Sequence, residues 1–183
     1  LLAISELTIY QINWIQGHDL GRRLKALVCH GGIFSSVGMW STEELHFHYY
    51  EMDGAPWLPE LEETNLQLRR GQGSPYEQRR WDPSAHVNQW STPELVIHGE
   101  KDYRVPISES LAAFNVLQAR HVPSRFLVFP DENHWVLKPE NGLVWHETVL
   151  NWINQYVGLP PLAEQESEDA EWVAVDLPRD GNF

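Results

Sequence analysis

Leu95-Val96-Ile97-His98-Gly99 and Arg125-Phe126-Leu127-Val128-Phe129-Pro130 decide the fold class. Each is a short apolar run closed by a turn-forming residue, the pattern of a strand buried on both faces of a parallel sheet. Between them, Ser108 to Ala119 sets Leu111, Phe114 and Leu117 on one helical stripe, with Pro106 suited to the opening turn. A loop from Asp131 to Asn141 follows the second run. Beyond it Trp145, Val149, Trp152, Ile153 and Tyr156 fall at helical spacing through Val157, with Gly158 and Pro160 as the stop. Strand, helix, strand, helix predicts right-handed crossovers, a mostly parallel sheet with flanking helices, and hence an α/β fold.

Working back toward the amino end, Leu24-Lys25-Ala26-Leu27-Val28-Cys29 reads as another central strand, ended by His30-Gly31-Gly32. Leu7 to Leu20 reads as a short helix stopped by Gly17 and Gly21. Trp40-Ser41-Thr42-Glu43-Glu44-Leu45 reads as a helix start, with Ser41 as the cap and Glu44 at the capping-box position. Leu58 to Pro75 is charged, rich in Gly and Pro and without period, as expected of a surface loop or insertion. Trp81-Asp82-Pro83-Ser84-Ala85-His86 reads as a turn into a short helix. After Pro161, seven acidic residues from Glu164 to Asp180 face Arg179 alone, so residues 159–183 are expected to form an acidic, disordered tail. The apolar islet Trp172-Val173-Ala174-Val175 within that tail is the part suited to docking on a surface or a partner.

With 183 residues the chain suffices for one domain with a real core. Lys+Arg 13 against Asp+Glu 26 leaves a net charge of −13, which argues against nucleic acid and anionic membrane surfaces as partners. No run approaches the length of a membrane span. Cys29 is the only cysteine, which excludes an internal disulfide and a cysteine-built zinc site. The chain does not open on Met, and Leu1-Leu2-Ala3-Ile4 lacks the basic stretch and long apolar run of a secretory signal. The expectation is a processed chain or a piece of a longer one.

In a parallel α/β sheet, chemistry is carried by the loops leaving the carboxyl ends of the strands. Two such loops follow the clearest strands. One is Gly99-Glu100-Lys101-Asp102 and the other is Asp131-Glu132-Asn133-His134-Trp135. Asp102 and His134, in that order, match the last two members of a hydrolase triad, in which a buried carboxylate holds an imidazole in one tautomer and stabilises its protonated form. Read from the residues alone, Asp102 serves equally as a turn residue before Pro106, and His134 as a partly buried histidine. His46 and His48, with Glu43 or Glu51, have too little ligand spacing for a metal site. Cys29-His30 reads as the end of a buried strand rather than a dyad. No cofactor and no metal is expected.

Thr92-Pro93-Glu94-Leu95-Val96-Ile97-His98-Gly99-Glu100-Lys101-Asp102-Tyr103-Arg104-Val105-Pro106, followed by Phe129-Pro130-Asp131-Glu132-Asn133-His134-Trp135, resembles the carboxyl-terminal catalytic domain of the prolyl oligopeptidase family of serine peptidases. The likeness is strongest to its fungal, secreted dipeptidyl-peptidase V branch. Ile12-Asn13-Trp14-Ile15-Gln16-Gly17 and Leu27-Val28-Cys29-His30, with Phe34 and the block from Trp40 to Leu45, resemble the same branch. The resemblance spans about positions 10 to 57 and 76 to 158. It implies that residues 1–158 are the carboxyl-terminal part of an α/β-hydrolase sheet, with 58–75 a loop or insertion. It further implies catalytic roles for Asp102 and His134, peptide amide hydrolysis as the reaction, and a secreted location.

The departures carry as much weight. The family sets its serine in a Gly-x-Ser-x-Gly elbow, because only glycines allow the tight strand-to-helix turn that exposes it. Aligned on Tyr10, Glu6 stands at the nucleophile's place and Ile4, Thr8 and Ile9 stand where glycines belong. Ser5 is one position away among bulky neighbours. The family also reads Cys-His-Asp-Gly where this chain has Cys29-His30-Gly31-Gly32. The expectation is a serine-type dipeptidyl peptidase in truncated form, with acid and base but no nucleophile, inactive alone and prone to self-association. Its peptide substrate is held only when the amino-terminal part completes the site. The alternative is a non-catalytic α/β binding protein.

Overall fold

A computed structural model describes residues 2–5, 11–36, 38–42 and 80–162. The expected insertion at 58–75, the tail beyond Leu162, His46, His48, Glu43, Glu51, and Glu6, Thr8 and Ile9 of the elbow lie outside the described residues.

Four parallel strands, β1 (Leu2–Ser5), β2 (Ala26–His30), β3 (Glu94–Gly99) and β4 (Ser124–Phe129), form one sheet in the order β1-β2-β3-β4. Register runs through Ser5↔Cys29, His30↔Ile97 and Gly99↔Phe129, so the carboxyl ends of all four lie along one edge. Side-chain alternation then sorts the core. Ala26, Val28, Leu95, Ile97, Leu127 and Phe129 face one side, against Val149 and Trp152 of the last helix. On the other side Val96 and Phe126 pack with Trp90, Ala113, Phe114 and Leu117, while Leu27 and Cys29 pack with Ile12 and Leu24. The result is three layers, helix, sheet and helix.

Among the described residues the α-helices are α1 (Gln11–Gln16), α2 (Asp19–Arg22), α3 (Ile107–Ala119) and α4 (Pro139–Val157). α1 and α3 share a face, as successive crossovers of one hand advancing in one direction along the sheet require. Leu7 to Leu20 was expected as one helix. The described part is broken into α1 and α2 around Gly17, where a Cβ would come within 2.4 Å of the His86 Cβ. Residues Trp81 to His86 do turn into a short helix, of 3-10 type over Pro83–Gln89, with the Asp82 carboxylate capping the Ser84 amide at 2.9 Å.

Ser41 ends a 3-10 turn, Gly38–Ser41, and its hydroxyl donates back to the Gly38 carbonyl at 2.8 Å; the helix expected after it, with Glu44, lies outside the described residues. Two other local expectations are corrected. On α3, Leu111 is 43% exposed, and the buried face is Glu109, Ser110, Ala113, Phe114 and Leu117. This face is held inward by the hydrogen bond of Ser110 to the buried His98 ring and by Glu109, which accepts the amides of Phe34 and Ser35. α4 begins at Pro139, inside the expected loop, because Pro suits a first helical position and the Glu132 carboxylate accepts the Lys138 amide just before it.

Gly158 ends α4 at φ 80°, the left-handed conformation that glycine adopts without penalty. Residues 159–162 then fold back on α4, with the Leu159 amide on Asn154 O and the Leu162 amide on Asn151 Oδ1. Trp152 fastens the same helix to the sheet, its indole N–H donating to the buried Leu27 carbonyl at 3.0 Å. Trp152→Phe keeps an aromatic ring but gives up the indole hydrogen bond and part of the buried side-chain volume. It is expected to lower the free energy of unfolding by about 2 kcal/mol, read from urea titration.

Candidate active site

The carboxyl edge of the sheet brings the loops after β3 and β4 side by side. They are laced through their backbones, Glu100 N to Phe129 O and Lys101 N to Glu132 O, both at 2.9 Å. Gly99 makes this possible, since a Cβ there would stand 2.2 Å from Asn133 O and 2.6 Å from Glu132 O. These are backbone atoms of the neighbouring loop and have nowhere to go.

On this base His134 Nδ1 lies 2.7 Å from Asp102 Oδ2. The Asp102 side chain is 1% exposed and that of His134 is 13% exposed. The other carboxylate oxygen, Oδ1, accepts the amides of Arg104 at 3.0 Å and Val105 at 2.9 Å. A carboxylate only accepts, so the proton between the two groups sits on His134 Nδ1, and the neutral ring keeps Nε2 as a base. This is the arrangement of an orienting carboxylate and a general base.

Several neighbours were not legible in the sequence. Gly31, after β2, sits at φ 57°, and a Cβ on it would come within 3.2 Å of His134 Cε1. The Gly31-Gly32 turn therefore lets the imidazole lie against the backbone. Glu132 braces the His134 loop by accepting the amides of Leu137 and Lys138 and the side-chain amide of Asn141 at 2.8 Å. Burial opposes its charge, but these three donors prevail and hold its carboxyl below the usual range. Lys138 pairs with Asp131 on the rim. The only signal for this bracing in the sequence is a carboxylate six residues ahead of the Lys138-Pro139 helix start.

Cys29 is buried in β2, and its thiol is pushed up first by desolvation and next by the Glu94 carboxylate, which makes it a poor nucleophile. His30, on the opposite face, is lowered to about 4, first by burial and then by His98 and His134, so it is neutral. The stretch from Phe34 to Ser36 is held by two carboxylates. Glu109 accepts the amides of Phe34 and Ser35, and Asp82 accepts the amide and hydroxyl of Ser36. Among the described residues no group of three or more His, Cys, Asp or Glu is placed to hold a metal ion. An open depression of about 530 Å³ borders the pair, walled by Lys101, Tyr103, Arg104, Trp135 and Leu137. The Arg104 guanidinium lies over the Trp135 ring, 4.9 Å from its centroid.

Residues 10–160 match the prolyl oligopeptidase family. The chain is 52% identical over 163 residues to a probable dipeptidyl-peptidase 5 of Aspergillus terreus, covering 88% of this chain and 20% of that protein. It is 53% identical over 148 residues to dipeptidyl-peptidase 5 of Schizosaccharomyces pombe, covering 80% of this chain and 20% of that one. The chain thus spans about a fifth of the length of the curated relatives it matches. Among solved structures, a Pyrococcus horikoshii acylaminoacyl peptidase superposes with a TM-score of 0.64 at 17% identity, over 85% of this chain and 24% of that one. A Mycobacterium tuberculosis puromycin-hydrolyzing peptidase gives 0.63 at 22% identity, over 81% and 20%. These two likenesses concern the fold, that of α/β-hydrolase peptidases.

Proposed function

The chain belongs to the prolyl oligopeptidase family, and from that premise we propose that Asp102 and His134 are the acid and base of a serine peptidase centre that releases dipeptides by hydrolysing peptide amides. The observation that carries this reading is the 2.7 Å hydrogen bond between them, with the carboxylate clamped by two backbone amides. Neutral His134 takes a proton from the attacking hydroxyl through Nε2 as the new C–O bond forms, and Asp102 stabilises the resulting imidazolium. When the C–N bond breaks, the same proton passes from Nε2 to the leaving amine. Water then repeats the cycle on the ester.

The attacking oxygen is what this chain lacks, because Glu6 stands at its place and the elbow glycines are Ile4, Thr8 and Ile9. The chain is therefore the acid–base part of the centre and silent by itself. A peptide is the partner of the completed site. The same substitutions favour a second reading, a non-catalytic α/β protein that keeps the depression for binding.

Labelling with a fluorophosphonate probe tests the assignment. The purified chain is expected to stay unlabelled and to leave dipeptidyl amides intact, and Glu6→Ser is expected to restore neither, since the bulky elbow neighbours remain. Labelling abolished by Ser5→Ala would instead make Ser5 the nucleophile. Saturable binding of dipeptidyl peptides in calorimetry, without turnover, would favour the binding protein.

A further inference from the structure

His98 is the buried group beside the pair for which the acid–base reading has no use. Its ring is wholly buried at the end of β3. Nδ1 lies 2.7 Å from Ser110 Oγ; Nε2 lies 2.8 Å from the Val105 carbonyl and 3.5 Å from Asp102 Oδ2. A carbonyl and a carboxylate only accept, so Nε2 carries the proton and Nδ1 accepts the Ser110 hydroxyl. We infer that His98, locked in the Nε2–H tautomer by Ser110, is a positioning residue for the Asp102–His134 pair.

The chain of contacts is short. The Val105 peptide groups are engaged on both sides, its N–H on Asp102 Oδ1 and its carbonyl on His98 Nε2–H. The turn that clamps the carboxylate is thereby tied to the end of β3, and Ser110 ties the ring in turn to the first turns of α3. The tautomer matters more than the packing. With the proton moved to Nδ1, the Nε2 lone pair would face two oxygen acceptors, the Val105 carbonyl and Asp102 Oδ2, and repel both. Ser110 prevents this by presenting a hydroxyl proton to Nδ1. The titratable groups facing His98 are Asp102, His134 and His30. Burial first, and His134 further, lower its own pKa, against the hydrogen bond to Val105 and the Asp102 charge, so the ring is neutral near pH 7.

The catalytic consequence rests on the proposed acid–base reading, but the experiment does not need turnover. Imidazole nitrogen–proton correlation spectra of the whole chain report both the His98 tautomer and the low-field proton of the His134–Asp102 bond. His98 is expected as the Nε2–H tautomer at about pH 8, where a ring whose pKa is lowered from its ordinary value is neutral. Ser110→Ala is expected to lose the low-field resonance to exchange, and Ser110→Thr, which restores the hydroxyl, to keep it. Leu117→Ala, a core truncation on the same helix, controls for loss of stability and is expected to keep it as well. An Nδ1–H tautomer of His98 in the unaltered chain would overturn the inference, whichever variants fold. So would an unchanged low-field proton in Ser110→Ala, or its equal loss in Leu117→Ala. A Ser110-dependent resonance in a chain that proves to bind peptides without belonging to any peptidase centre would defeat the proposed function and uphold the positioning role.

Discussion

Gly99→Ala is expected to destabilise the fold by about 3 kcal/mol and to separate Asp102 from His134. The added methyl would meet Asn133 O at 2.2 Å, Glu132 O at 2.6 Å and Glu132 C at 2.8 Å. None is the movable end of a side chain; all belong to the backbone that carries His134. Relief requires the β4 loop to retreat, which breaks the 2.9 Å bond from Lys101 N to Glu132 O and carries the imidazole away from its carboxylate. Urea midpoints and the low-field imidazole proton read the two effects separately. Gly142→Ala is the contrast, because nothing lies within 4 Å of a Cβ built there, inside α4. It is expected to raise stability by about 0.5–1 kcal/mol, as alanine for glycine in a helix does. A Gly99→Ala protein with the unaltered midpoint would mean that the two loops are not packed as described.

Glu94→Gln is expected to have an effect of similar size and opposite sign, confined to neutral and alkaline pH. Glu94 opens β3 fully buried; one carboxylate oxygen accepts the Gln16 side-chain amide at 2.7 Å and the other has no hydrogen-bond partner among the described residues. Burial pushes its carboxyl up from 4.5 to about 7, against the smaller opposing effect of the Gln16 bond. The folded protein therefore binds a proton that the unfolded chain has released between these two values. Stability falls as pH rises through that window and stays low above about 7, where the charge is buried. The difference corresponds to about 3 kcal/mol. Glutamine keeps the shape and an oxygen for Gln16 without the charge, so the variant is expected to match the parent near pH 4.5 and to exceed it by about 3 kcal/mol at pH 8. Denaturation curves that stay parallel across that range would refute the buried charge.

The same physics separates what was legible in the chain from what was not. Apolar runs ended by Gly99 and Pro130, the helical spacing from Trp145 to Tyr156 and the stop at Gly158 are local patterns, and the strands and helices follow them to within a few residues. Leu111 was misjudged because a helical stripe shows which residues share a face, and not which of two neighbouring faces a partner will claim; Ser110 and the His98 ring decided that.

By itself, the sequence determined the α/β class and the order in which Asp102 and His134 follow their strands, because strand and helix periods and chain order are properties of one dimension. Only the tertiary structure decided that Asp102 and His134 touch, 32 residues apart in sequence and 2.7 Å apart in space. It also decided that Gly31 and Gly99 are glycines for the sake of other loops, that Glu132 holds the His134 loop in place, and that His98 has a single tautomer. Each of these depends on which groups meet across the sheet edge, where a single methyl or proton changes the outcome and no local periodicity records it.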